Sequence, residues 1–173
     1  PLQGQGVLIV RADLFKPYSA TAESPAPLVI VIPGFQRSKE TLSNISIELS
    51  KRGIVVMAID PYAQGQSSSS FSKRSATNEG YGMFALVNYA YDTNILNYID
   101  KNRIGSTGHS AGGLAAMRGA QHFGKEAKKN GLKSKLHSVF VSGMLRMGFN
   151  KKDLKNIQSN VGVSYALYDE GAW

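Results

Sequence analysis

Short aliphatic runs alternate with amphipathic stretches along most of this chain. Residues 28–32 read Leu-Val-Ile-Val-Ile and residues 54–59 Ile-Val-Val-Met-Ala-Ile, with no polar interruption. Such runs are expected of central parallel strands covered on both faces. Between them Leu42, Ile45 and Leu49 recur at helical spacing, with Ser38 placed to cap the helix start and Gly53 to end it. Residues 81–99 carry Phe84, Val87, Tyr91, Ile95 and Tyr98 at intervals of three and four, which predicts one long amphipathic helix. Strands are predicted again at 102–107, 136–142 and 161–167, and a helix of small residues runs from just after 110 to about Lys129, with Gly131 in the turn that follows. Residues 6–15 alternate enough to suggest an antiparallel edge strand or hairpin. Residues 16–27, 67–78 and 151–159 have the composition of connections. The serine-rich 67–78 stretch reads equally as a border of an active-site mouth or as linker. Strand and helix in regular alternation imply an α/β fold, a mostly parallel doubly wound sheet, in one domain spanning 1–173.

Composition narrows the possibilities. At 173 residues and 42% hydrophobic content the chain can bury a substantial core. It has no cysteine, so disulfides, thiolate metal sites and a thiol nucleophile are excluded. A reducing, cytoplasmic compartment agrees with that composition without following from it. The net charge of +8 invites a nucleic-acid reading. Its lysines (Lys125, Lys128, Lys129, Lys133, Lys135, then Lys151, Lys152 and Lys155) lie in polar surroundings without the interleaved aromatics and arginines that base stacking favours, so a solvated face is the better account and no nucleic-acid partner is expected. No run approaches the length of a membrane span.

The candidate chemistry sits where the strand at 102–107 ends. Gly108-His109-Ser110-Ala111-Gly112 fits G-x-S-x-G, set between a strand and a small-residue helix. A serine at so sharp a bend is held in a strained backbone conformation, which demands small neighbours; Gly108 and Gly112 supply them. The bend lifts the hydroxyl above the sheet edge, and the following helix aims its first amides at the same space. His109 is a tempting base for Ser110, but adjacent residues leaving a strand point to opposite sides. His109 is therefore expected to face into the packing around the bend. His122 and His137 fall at the far ends of their elements and are expected to be ordinary histidines.

With these motifs the chain resembles an α/β-hydrolase, most similar to the dienelactone hydrolase and small-esterase branch. The likeness rests on Pro33-Gly34-Phe35, the Asp60–Ser67 loop, Gly108–Gly112 and Tyr168-Asp169-Glu170. It implies Ser110 as nucleophile, the backbone N–H groups of Phe35 and Ala111 as oxyanion donors, and Asp169 as the acid that orients a histidine, with Glu170 the fallback. Asp60, by the same likeness, ties down its loop and does no chemistry. The relatives' histidine follows an eighth strand, which implies that the final strand, helix and histidine loop lie outside these residues. On this reading the chain is C-terminally truncated, inactive by itself, and leaves a sheet edge open.

The expected activity is therefore cleavage of a small-molecule carboxylic ester through an acyl-enzyme on Ser110, with no metal and no organic cofactor. A peptidase, lactone hydrolase or amide hydrolase on the same frame is the alternative within enzymes. A binding protein that keeps the bend but has no histidine is the alternative outside them. Oligomeric state, compartment and the two halves of the ester stay open.

Overall fold

The computed structural model describes residues 8–68, 80–145, 148–167 and 169. Six strands, β1 (Ala12–Phe15), β2 (Ala26–Ile32), β3 (Val55–Ile59), β4 (Ile99–His109), β5 (Ser138–Ser142) and β6 (Asn160–Ser164), form one sheet in the order β1-β3-β2-β4-β5-β6. Only β1 runs antiparallel, pairing with β3 at one edge. The other pairs are parallel. This is the doubly wound arrangement the sequence pattern implies.

The aliphatic runs alternate faces, as the two-residue period of a strand requires. Leu28, Ile30 and Ile32 of β2, with Val55, Met57 and Ile59 of β3, pack into the larger core. That core is completed by α2 (Met83–Asp92) and α3 (Ala111–Asn130). Val31, Val56 and Ala58 point the other way, onto Leu42 and Leu49 at α1 (Ser43–Lys51). Fully burying each such aliphatic side chain contributes roughly 1.5–3 kcal/mol. On the α1 side an open apolar groove of about 680 Å³ runs past Val29, Ile45, Phe140 and Val161. At the far edge β6 is largely exposed along its length.

Several sequence expectations need correction. The helix predicted over 81–99 stops at Asp92, and its buried positions are Met83, Val87 and Ala90. Pairing overrides the helical pattern: Ala26 N–H donates to the Tyr98 carbonyl at 2.9 Å and Ala26 lies opposite Ile99, so the chain must already be extended there. Thr93 (φ −77°, ψ 149°) breaks the helix, residues 95–98 form a turn that delivers the chain to Ile99, and Ile95 is left exposed. Ser38 makes no side-chain cap, because a 3₁₀ turn (Lys39–Leu42) intervenes before α1. Within the connection at 151–159, a short α4 (Lys151–Leu154) is held by a capping box between Asn150 and Asp153. The end of α3 is as expected, with Gly131 at φ +65°. Most of the serine-rich 67–78 stretch lies outside the described residues.

His122 and His137 are both engaged away from the end of β4. The Nδ1 of His137 accepts the Ile104 N–H at 3.3 Å, beside the start of β5. His122 stacks on Phe84 (centroids 4.4 Å apart, planes 11° apart) and meets the edge of Phe123. Its rim is exposed, yet the packed faces are out of water, and this desolvation holds its pKa below the ordinary histidine value. A depressed histidine pKa favours the neutral form in the fold. The contribution to stability is present above about 6.5 and is lost as pH falls through the lowered value. NMR titration of the ring C–H protons is expected to place His122 below 6.5, and Phe84→Ala to move it back toward that value.

Candidate functional site

The site is built where β2, β4 and β5 end together. Ser110 follows β4 immediately and precedes the first residue of α3. Its backbone sits at φ 56°, ψ −120°, a region of order 1–3 kcal/mol above the ordinary wells for a residue with a side chain. The surroundings hold it there. Its N–H donates to the Ser142 carbonyl at 3.0 Å, and its own carbonyl accepts from Leu114 N–H (3.1 Å) and Leu145 N–H (3.3 Å). Both flanking glycines are required by contact. A β-carbon on Gly108 would overlap the Gly112 backbone, and one on Gly112 would overlap the carbonyls of Ile32 and Pro33. The bend is thus pressed directly against the end of β2, and Ser110 is left half-buried.

Gly34 brings the second loop to the same point. The direction in which its β-carbon would project meets the Ser110 Cβ at 3.4 Å. Phe35 follows at once, its ring largely exposed. Among the described residues, none accepts a hydrogen bond from the N–H of Phe35 or of Ala111. Ala111, as first residue of α3, carries one of the amides that a helix cannot satisfy internally. Two amide donors therefore stand near one hydroxyl.

Asp169 stands five residues beyond the end of β6, in a turn closed by its N–H on the Ala166 carbonyl (3.1 Å). Its carboxylate reaches the end of β5. The β-carbon position of Gly143 lies 3.0 Å from Asp169 Oδ2 and 3.6 Å from His109 Nε2. The structure thus gathers Ser110, Ala111, Phe35 and Asp169 at one edge of the sheet. Glu170 lies outside the described residues.

His109 departs from expectation. Its side chain is exposed and not packed around the bend. The reason lies in its neighbours: the ring rests over the strand ends between Gly34, near Nδ1, and Gly143, near Nε2. Neither glycine has a side chain to cover it.

Asp60 behaves as an anchor. It is fully buried, and its carboxylate accepts from the Lys39 N–H (2.8 Å), the Gln66 N–H (2.9 Å) and the Lys39 Nζ (3.1 Å). Lys39, also buried, is shared with Glu40 at 2.9 Å. The hydrogen bond to Glu40 raises the Lys39 pKa above the ordinary lysine value, and Asp60 adds to this against desolvation. Two loops are thereby locked together, residues 60–66 and the segment that carries Phe35. Neither Lys39 nor its pairing was marked by any pattern in the sequence. Gln64, in the Asp60–Ser67 loop, carries no mark in the sequence either; its side chain bonds three backbone groups of residues 34–37.

Among the described residues, no group of histidine, cysteine, aspartate or glutamate side chains is arranged to hold a metal ion. No described helix is long and apolar enough to cross a membrane.

Residues 12–130 match the model of a family described as PET hydrolase-like. The chain belongs to the PET hydrolase-like family. Among solved structures, Est1E from Butyrivibrio proteoclasticus, with ferulic acid bound, is 22% identical at a TM-score of 0.61, over 79% of this chain and 49% of its own. Thermogutta terrifontis esterase 2, phosphonylated by cyclosarin, is 11% identical at a TM-score of 0.63, over 91% of this chain and 77% of its own. A protein named m3DLH is 17% identical at 0.67, over 97% and 72%. At these identities the likeness is one of fold, and the fold is that of the α/β-hydrolases. The PET hydrolase-like chain described here spans about half the length of Est1E. Comparison with curated proteins returns no match.

Replacing Asp60 by asparagine leaves the buried Lys39 ammonium with Glu40 as its remaining ion pair among the described residues. Asp60→Asn is expected to lower unfolding free energy by about 3 kcal/mol, toward the low end for breaking a buried pair, as read from urea denaturation at neutral pH.

Proposed function

We propose that this chain carries the nucleophile, oxyanion donors and acid of a serine esterase acting on small-molecule carboxylic esters. The observation that carries the reading is the backbone of Ser110, held by three hydrogen bonds at φ 56° with Gly34 against its side chain. In the proposed reaction the Ser110 Oγ attacks the ester carbonyl and a base takes its proton. The tetrahedral oxyanion accepts from the N–H groups of Phe35 and Ala111, and its collapse expels the alcohol, leaving an acyl-Ser110 that water then cleaves. Each oxyanion donor contributes about 3 kcal/mol in sites of this kind.

Asp169 is proposed to hold the imidazole of the base in one tautomer and to stabilise the imidazolium. His122 and His137 are committed elsewhere, and His109 is set aside because adjacent residues leaving a strand point to opposite sides. The proposal therefore assigns the base to a histidine outside the 173 residues. Family membership supports a hydrolase. The ferulic-acid complex of Est1E and the phosphonylation by cyclosarin of T. terrifontis esterase 2 support ester chemistry on this fold.

The test is hydrolysis of p-nitrophenyl butyrate by the full-length protein, together with labelling by a fluorophosphonate. Ser110→Ala is expected to abolish labelling and to lower kcat by about 10⁴-fold or more. Equal labelling of the alanine variant would remove Ser110 from the mechanism. A full-length wild-type protein that neither labels nor hydrolyses the ester would favour a binding protein built on the same frame.

A further inference from the structure

We infer that Gln64 is a positioning residue that aims the Phe35 N–H at the oxyanion, a role that rests on the esterase reading above. The geometry begins with a peptide plane. The Gly34 carbonyl and the Phe35 N–H are opposite ends of one trans peptide unit, so fixing the oxygen fixes the direction of the hydrogen. The Gly34 oxygen accepts from Gln64 Nε2 at 3.0 Å and from the Arg37 N–H at 3.2 Å, which occupies both its lone pairs. The Phe35 N–H then points away from Gln64.

The next peptide is held by the same side chain. Gln64 Oε1 accepts the Gln36 N–H at 3.0 Å, and Nε2 donates a second time, to the Arg37 carbonyl, at 2.6 Å. One amide thus satisfies three backbone groups of a four-residue turn. Its orientation is fixed, because the flipped amide would set its oxygen against two carbonyl oxygens and its nitrogen against an N–H. The turn needs such support. Gln36, at its third position, has φ 56°, where turns ordinarily place glycine or asparagine. Left to itself, a glutamine there disfavours this conformation. Gln64 is in turn carried by the loop that Asp60 anchors through the Gln66 N–H. Its own backbone is tied by the Gln64 N–H on the Pro61 carbonyl (3.0 Å) and by the Gln64 carbonyl accepting from Ser67 (3.2 Å).

Kinetics on p-nitrophenyl butyrate separate aiming from mere stability. In Gln64→Leu all three bonds are lost; in Gln64→Glu the acceptor for Gln36 survives and both donors vanish. Both variants are expected to lose between about tenfold and a hundredfold in kcat with KM within about twofold, less than the loss on removing an oxyanion donor outright. The rate of fluorophosphonate inactivation is expected to fall in parallel, since that reaction passes through the same charged oxygen. Circular dichroism melts establish that each variant is folded at the assay temperature. A folded Gln64→Glu or Gln64→Leu that keeps kcat within twofold overturns the inference, as does a rise in KM with kcat unchanged. Ser110→Ala is assayed beside them: if it retains activity, the esterase reading has failed, and that outcome is distinct from failure of the Gln64 inference.

Discussion

The whole arrangement depends on how closely the bend after β4 can press against the end of β2. Gly112 touches the carbonyls of Ile32 and Pro33, and Gly108 touches Gly112, so three chain segments meet with no side chain between them. Contact this tight leaves Ser110 no ordinary backbone conformation. Its strain is carried by hydrogen bonds to Leu114 in α3 and to Ser142 and Leu145 at and just past the end of β5. Strain at one residue can persist only where the surroundings over-determine it. Here they do, because β4 is central to the sheet and paired on both sides.

The loop after β2 meets the same demand by other means. No glycine stands at Gln36 to accept a left-handed conformation, and no strand pairing continues past Ile32. Side chains from a neighbouring loop supply the missing constraint. Asp60, buried among N–H donors and a lysine, fixes residues 60–66, and Gln64 then fixes residues 34–37. A buried ion pair is weak evidence for stability in its own right, since desolvation offsets much of the attraction. Its value here lies in holding two loops in register beside the serine.

Features set by local chemistry could be read from the chain. The aliphatic runs at 28–32 and 54–59, the G-x-S-x-G bend and the glycine end of α3 all follow from neighbours within a few residues, whereas Asp169 is singled out by the resemblance alone. Family membership fits the resemblance those motifs carry. Features set by contact across the chain could not be read. The helix at 81–99 is shortened by a strand pairing with Ala26, some seventy residues earlier in sequence order. His109 is exposed because Gly34 and Gly143, on two other loops, have nothing to lay over it. Lys39 and Gln64 act on partners about twenty to thirty residues away, and no periodicity marks a side chain for such a bond.

The supports of the site are unequal, and that difference has a physical order. Ser110 is held by a central strand and a twenty-residue helix packed into the larger core. Phe35 is held at one remove, through Gln64 and the buried Asp60. Asp169 follows β6, a strand at the sheet edge with most of its residues exposed, beside an open apolar groove. Elements with few buried contacts open locally at lower free energy than the core. Ser110 and the Ala111 amide thus belong to the best-packed part of the fold, whereas the Asp169 carboxylate follows one of its least-packed strands. A contact that covers the groove would meet β6 at Val161 and Gly162 and also Gly108, His109 and Ser142, which line it beside Ser110.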